Sequence, residues 1–392
     1  MIEPKLRFKK DDGSDFPDWE EKKLGDVCDT LTYGMNAAAV KFDGENKYIR
    51  ITDIDDESHC YKNDELVSPD GELDNKYLVC ENDILLARTG ASVGKSYLYN
   101  KEDGKLYYAG FLIKAHVKSE NSKFIFFQTL TERYDKWVKI TSMRSGQPGI
   151  NANEYSDFTM NVPSLPEQQK IADFLSTIDT VIEKQQATVS AWEERKKGVM
   201  QKLFSQEVRF KADDGSDFPE LEAKSLFDIC EYKNKQSVGK NYVGTENMKQ
   251  NFSGLESLDE ETEMKGVCYC KGDTLMSNIR PYLRKTWKAD REGVCSTDVL
   301  VFHPIDVVSE YLHYLIASDK FISYVMTGVK GVKMPRGDKE HMMKFSIMVP
   351  SLPEQQKIAD CLSALDAVIE KQKETLEKWQ ELKKGLLQQM FV

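Results

Sequence analysis

Val162-Pro-Ser-Leu-Pro-Glu-Gln-Gln-Lys-Ile-Ala-Asp173 recurs unchanged as Val349-Pro-Ser-Leu-Pro-Glu-Gln-Gln-Lys-Ile-Ala-Asp360, 187 residues later. In each copy a serine (Ser164, Ser351) lies just ahead of a proline (Pro166, Pro353) suited to the first position of a helix, and a glutamate (Glu167, Glu354) favours the positive end of the helix dipole. From there apolar residues advance alternately by four and three: Ile171, Leu175, Ile178, Ile182, Val189 and Trp192 in one copy, Ile358, Leu362, Leu365, Ile369, Leu376 and Trp379 in the other. The seam is interrupted at matching places, by Gln185 and Lys196 in the first helix and by Gln372 and Lys383 in the second. This is coiled-coil spacing. An isolated amphipathic helix is most often core or a solvated strut, but two with matched phases bury their stripes best against each other. An antiparallel pair is expected, with Gln185 facing Gln372 to fix the register. About 39 residues per helix give a rod of roughly 58 Å.

A second repeat has a different shift: Phe8-Lys-Lys-Asp-Asp-Gly-Ser-Asp-Phe-Pro17 returns as Phe210-Lys-Ala-Asp-Asp-Gly-Ser-Asp-Phe-Pro219, 202 residues on. Shifts of 202 and 187 make the region between the repeated pieces 15 residues longer in the first half. The chain thus reads globule, helix, globule, helix, with expected boundaries 1–162, 163–205, 206–349 and 350–392. The first helix runs from Leu203-Phe204 into Arg209-Phe210-Lys211. The second stops at Met390-Phe391-Val392, and what would come next is the chain's own start, Leu6-Arg7-Phe8-Lys9. This cyclic order predicts a pseudo-twofold arrangement with the chain ends adjacent.

Each globule reads as α+β, with short β-type runs broken by turn signals. Tyr48–Thr52, Asp83–Arg88 and Phe111–Val117 are expected strands of the first, and Tyr242–Thr245, Asp273–Asn278 and Asp298–Phe302 of the second; Lys123–Val138 and Ser309–Val325 look helical. Residues 82–95 align with 272–285 at a shift of 190, a strand followed by a polar loop. The loop tips differ: Arg88, Thr89, Ser92 and Lys95 in one, Asn278, Arg280, Tyr282, Arg284 and Lys285 in the other. Arginine and asparagine carry the forked donors and acceptors that match guanine and adenine edges in the major groove. A second candidate contact precedes each long helix, at Arg144 and Gln147 in the first half and at Lys333 and Arg336 in the second. Any one of these taken alone reads as a solvated surface charge; their pairing across two halves is what favours nucleic acid. Gly90-Ala-Ser-Val-Gly-Lys-Ser96 resembles a phosphate-binding loop, but only three residues separate its glycines where that motif needs four.

The 392 residues, 40% hydrophobic and 30% charged, suit two or three soluble domains. No stretch is long and apolar enough to cross a membrane, and the polar start carries no signal segment, so a cytoplasmic protein is expected. The net charge of −11 argues against a wholly basic surface. Local strips differ: residues 84–118 hold six Lys/Arg against two Asp/Glu, and residues 276–291 five against one. The eight scattered cysteines read as reduced thiols. Neither Cys268 and Cys270 nor the five histidines show metal-ligand spacing, so no metal and no catalytic residue is expected.

The doubled Pro-Ser-Leu-Pro-Glu-Gln-Gln-Lys-Ile-Ala-Asp opening a heptad helix, preceded by a Gly-Asp-Ile-Leu-type strand and a variable globule, resembles the specificity subunits of type I restriction-modification systems. The resemblance covers nearly the whole chain. It implies a non-catalytic reader whose two globules are target-recognition domains, each taking half of an asymmetric, split double-stranded DNA sequence. It implies long helices that act as spacer and dock two modification (methyltransferase) subunits. Restriction subunits complete such complexes; S-adenosylmethionine, ATP and Mg are expected on the partners and no cofactor on this chain. The competing reading is a coiled-coil scaffold whose globules bind proteins.

Overall fold

A computed structural model of the chain describes residues 4–29, 31–143, 147–331 and 333–391. The chain divides into two units, Met1–Gln185 with Thr375–Val392, and Gln186–Glu374. Each unit therefore takes one globule together with a segment of both long helices.

The first unit is built on a four-stranded antiparallel sheet of β1 (Thr32–Tyr33), β2 (Asp83–Ala87), β3 (Ser96–Leu98) and β4 (Leu112–His116), in the order β1-β4-β2-β3. The second has β5 (Cys230–Lys233), β6 (Thr274–Ser277), β7 (Thr286–Lys288) and β8 (Val299–Pro304), in the matching order β5-β8-β6-β7. The central strands are apolar runs because both sheet faces are covered. In β2, Ile84 and Leu86 enter the core shared with the helices, while Leu85 and Ala87 enter a smaller core on the other face. Leu300 and Phe302 of β8 likewise face the helices, and Val299 and Val301 the small core.

The helical stretches expected at 123–138 and 309–325 are each two helices. Thr131 accepts the amide of Tyr134 and Ser318 that of Phe321, so each starts a new helix after a short break: Ser122–Gln128 then Glu132–Ser142, and Ser309–Ile316 then Asp319–Thr327. Tyr242–Thr245 is not a strand; it makes a single bridge, Val243 to Cys295. Tyr48–Thr52 splits into a strand, Lys47–Ile49, and a short turn, Ile51–Asp53.

The long helices are α1 (Leu165–Ser205) and α2 (Leu352–Met390). Each begins one residue earlier than its sequence suggests, which places Pro166 and Pro353 second, and the Ser164 and Ser351 hydroxyls are buried without a hydrogen-bond partner. The repeated residues explain themselves through what they hold. Glu167, fully buried, takes Nε and Nη2 of Arg7 at 3.1 and 2.9 Å; Glu354 takes the same atoms of Arg209 at 3.0 and 2.6 Å. Gln168 donates to Pro163 O and accepts from the Asn121 amide, as Gln355 does with Pro350 and Val308. Lys170 and Lys357 reach Asp11 and Asp213 in the hairpins of the other repeat. Each copy is a socket that fixes a helix end to its globule.

Within the first unit Ile171, Leu175, Ile178 and Leu376 are buried and Ile182 and Trp379 half-buried; within the second Val189, Ile358, Leu362 and Ile369 are buried and Trp192 and Leu365 half-buried. The seam lysines, Lys196 and Lys383, are paired. Lys383 meets Asp179 at 2.6 Å in the first unit, and in the second Lys196 meets Asp366 at 2.5 Å while Lys373 meets Glu193 at 2.8 Å, so numbering falls on one helix as it rises on the other. The pairing is antiparallel. Gln185 and Gln372 are both half-buried. In the first unit the Leu6 amide donates to Gln389 O at 3.0 Å, joining chain start to helix end.

Candidate nucleic-acid interface

At the end of β2 the chain must reverse to enter β3. Ala87 N–H to Lys95 O (2.8 Å) and Gly94 N–H to Ala87 O (2.9 Å) close the reversal around a single turn, Gly90–Ser92. Gly90 and Gly94 have φ of 77° and 91°. The second unit repeats the device with Ser277 N–H to Lys285 O (3.0 Å) around Pro281–Leu283. There the two left-handed positions hold Arg280 (49°) and Arg284 (56°), where a side chain costs roughly 1–2 kcal/mol each.

The segment before each long helix docks on this loop. Gly90 N–H donates to Pro148 O at 3.0 Å and Ile150 N–H to Arg88 O at 2.9 Å; Arg280 N–H donates to Pro335 O at 2.8 Å and Gly337 N–H to Asn278 O at 3.3 Å. The two candidate stretches of each globule are therefore one ridge.

On the first ridge Arg88 is half-buried, with Nη1 3.3 Å from Gly110 O and its guanidinium 4.7 Å from the centre of the Tyr33 ring. Thr89 and Ser92 are half-buried and Gln147 is exposed; Arg144 lies outside the described residues. Lys95 turns inward, donating to Ile54 O at 3.1 Å and pairing with Asp56, whose carboxyl it holds below its usual range. On the second ridge Lys285 also turns inward, to Thr245 O at 2.8 Å, and Asn278 is buried with Oδ1 unpartnered. Lys95 and Lys285 are thus committed to backbone carbonyls and Asn278 is buried, so none of the three stands free at the ridge tip. Arg284 pairs with Asp319 at 2.9 Å and Arg336 with Asp298 at 3.1 Å. Arg280, Tyr282 and Lys333 are exposed.

One constellation escaped sequence reading. Asp83, at the foot of β2, is buried and accepts from the Cys80 amide at 2.7 Å and meets His116 Nδ1 at 2.8 Å; Asp273 does the same with Cys270 and His303 at 2.8 and 2.6 Å, and also takes Lys233 at 2.9 Å. The aspartates align at a shift of 190 and the histidines at 187, which is the signal that could have paired them. The carboxylate anchors the strand from which the ridge projects. Elsewhere, burial pushes the Cys28, Cys230 and Cys295 thiols up to about 12, which keeps them protonated. Among the described residues no cluster of His, Cys, Asp and Glu could hold a metal ion, and no helix is long and apolar enough to cross a membrane.

A duplicated sheet, a duplicated helix socket and a duplicated ridge with unlike tips define a tandem protein that repeats its frame and varies its surface. The chain belongs to the type I restriction-modification DNA specificity family, whose specificity domain matches residues 17–189 and 219–378. It is similar to the MjaVIII specificity subunit of Methanocaldococcus jannaschii, 25% identical over 407 residues that span 95% of this chain and 92% of that protein. It is also similar to the putative MjaX specificity subunit of the same organism, at 24% identity covering 95% and 93%. The crystal structure of a type I S subunit from M. genitalium shares the fold, with a TM-score of 0.58 at 14% identity over 100% of this chain and 99% of that one.

Proposed function

We propose that the globules, residues 1–162 and 206–349, are target-recognition domains that each read one half of an asymmetric, two-part DNA sequence. The carrying observation is the ridge: Gly90 N–H to Pro148 O and Arg280 N–H to Pro335 O build one frame twice, and the tips on it differ. A repeated frame with different polar tips suits two readings of one kind of ligand. On this reading α1 and α2 are the spacer and, with the repeated sockets, the dock for two modification subunits. The chain itself is non-catalytic; methylation with S-adenosylmethionine and ATP- and Mg-dependent restriction belong to partner subunits in the cytoplasm.

The spacer is testable by lengthening. Seven residues added to each helix keep the seam in phase and add about 10 Å, or about three base pairs. Methylome sequencing of cells carrying the variant with its partner subunits should show the same half-sites about three base pairs further apart. An unchanged gap would rule out the spacer role. A protein-binding scaffold would lack the steep loss of DNA affinity with added salt that counterion release imposes, and that loss is expected here.

A further inference from the structure

Among the described residues nine non-glycine positions have positive φ, and four of them, Asn251, Phe252, Arg280 and Arg284, meet at one place in the second unit. The turn Lys249–Gly254 is closed by Lys249 N–H to Gly254 O at 2.9 Å and lies against the ridge through two backbone bonds, Asn251 N–H to Leu283 O at 3.1 Å and Phe252 N–H to Arg284 O at 2.7 Å. Consecutive left-handed residues that are not glycine are costly and persist only where surrounding structure imposes them. Here the imposing groups are visible. The Arg284 guanidinium stands 6.0 Å from the Phe252 ring centre and pairs with Asp319, which ties turn, ridge and helix together. Gln250 and Asn251 are left exposed.

The first unit has a matching turn, Asp55–Cys60, closed by Asp55 N–H to Cys60 O at 2.9 Å, but it carries Asp55, Asp56 and Glu57. Asp55 accepts the amides of Glu57 and Ser58, and Asp56 is held by Lys95. Three carboxylates repel a phosphate backbone, whereas Lys249, Gln250 and Asn251 do not.

We infer that the Lys249–Gly254 turn is a second reading element of the second unit, with Gln250 and Asn251 supplying amide groups to base edges. Arg284 and Phe252 are the positioning residues. Glutamine and asparagine match the N6/N7 edge of adenine with both a donor and an acceptor. The inference rests on the DNA-reading assignment above.

Gln250→Ala and Asn251→Gly, the latter keeping the left-handed backbone, should be made in the full chain assembled with its modification subunits. Methylome sequencing and duplex binding at matched salt are the readouts. Preference at one or two base pairs of a single half-site should fall on the order of 10- to 100-fold, the other half-site keeping its sequence. An unchanged motif, or an even loss of affinity for all duplexes with a shallower salt slope, overturns the inference. If the parent complex methylates no two-part motif, the broader DNA-reading assignment is what has failed.

Discussion

Arg209→Met is expected to destabilise the second unit by about 3–5 kcal/mol, because it strands a buried charge. The Glu354 side chain is 2% exposed and sits in the first turn of α2, where Arg209 grips both of its oxygens and also donates to Pro219 O at 2.8 Å. The helix dipole alone returns roughly 0.3–1 kcal/mol to a carboxylate, up to about 2 where it is partly buried, which is too little to replace the guanidinium. Urea midpoints and hydrogen exchange of the amides at 355–358 would measure the loss. Glu354→Met added to Arg209→Met should recover most of it, since an apolar pair of similar volume is often as stable as a buried ion pair. Arg7→Met should act alike on the first unit, where Glu167 is buried completely. A loss below 1 kcal/mol for the single variant would mean that water reaches Glu354.

What the sequence declared most clearly was what it repeated. The seam is local, with partners three and four apart, so the spacing of Ile171 to Trp192 and of Ile358 to Trp379 is legible before any tertiary contact is known. The socket was visible as a motif, though not as a mechanism: that Glu167 needs Arg7, 160 residues away, follows from no local rule. The ridge shows the same limit more sharply. A basic loop residue is free or committed according to a group distant in sequence. Asp56 and Ile54 O take Lys95, Thr245 O takes Lys285 and Asp319 takes Arg284, while Arg280, with no such group in reach among the described residues, stays exposed. The Lys249–Gly254 turn was illegible for a related reason. Asn251 tolerates the left-handed region, but nothing in the local sequence requires Phe252 to follow it there; the bond to Arg284 O does.

Acid should weaken the second unit through one imidazole. His313 lies in the helix Ser309–Ile316, with Nδ1 shut away from solvent and unpartnered. Enclosure pushes its pKa down from 6.5 to about 4, and nearby Lys196 pushes the same way. A base whose folded pKa is depressed lends its full stability when both states are neutral, above about pH 6.5. As pH falls, the unfolded chain takes up the proton first, and the contribution is lost between about 6.5 and 4. The difference caps the effect at about 3 kcal/mol, and the partial exposure of the residue keeps it below that ceiling. Phe126 fills the corresponding position of the first unit, 187 residues earlier, and packs there against the core. His313→Phe therefore has a precedent in the same frame. Because carboxylates titrate in the parent and in the variant alike, the readout is the difference between them. Protection of the amides of β6 and β8, followed by hydrogen exchange from pH 7 to pH 4.5, should fall less in His313→Phe than in the parent. If the two lose protection in parallel, His313 is not the group through which acid acts.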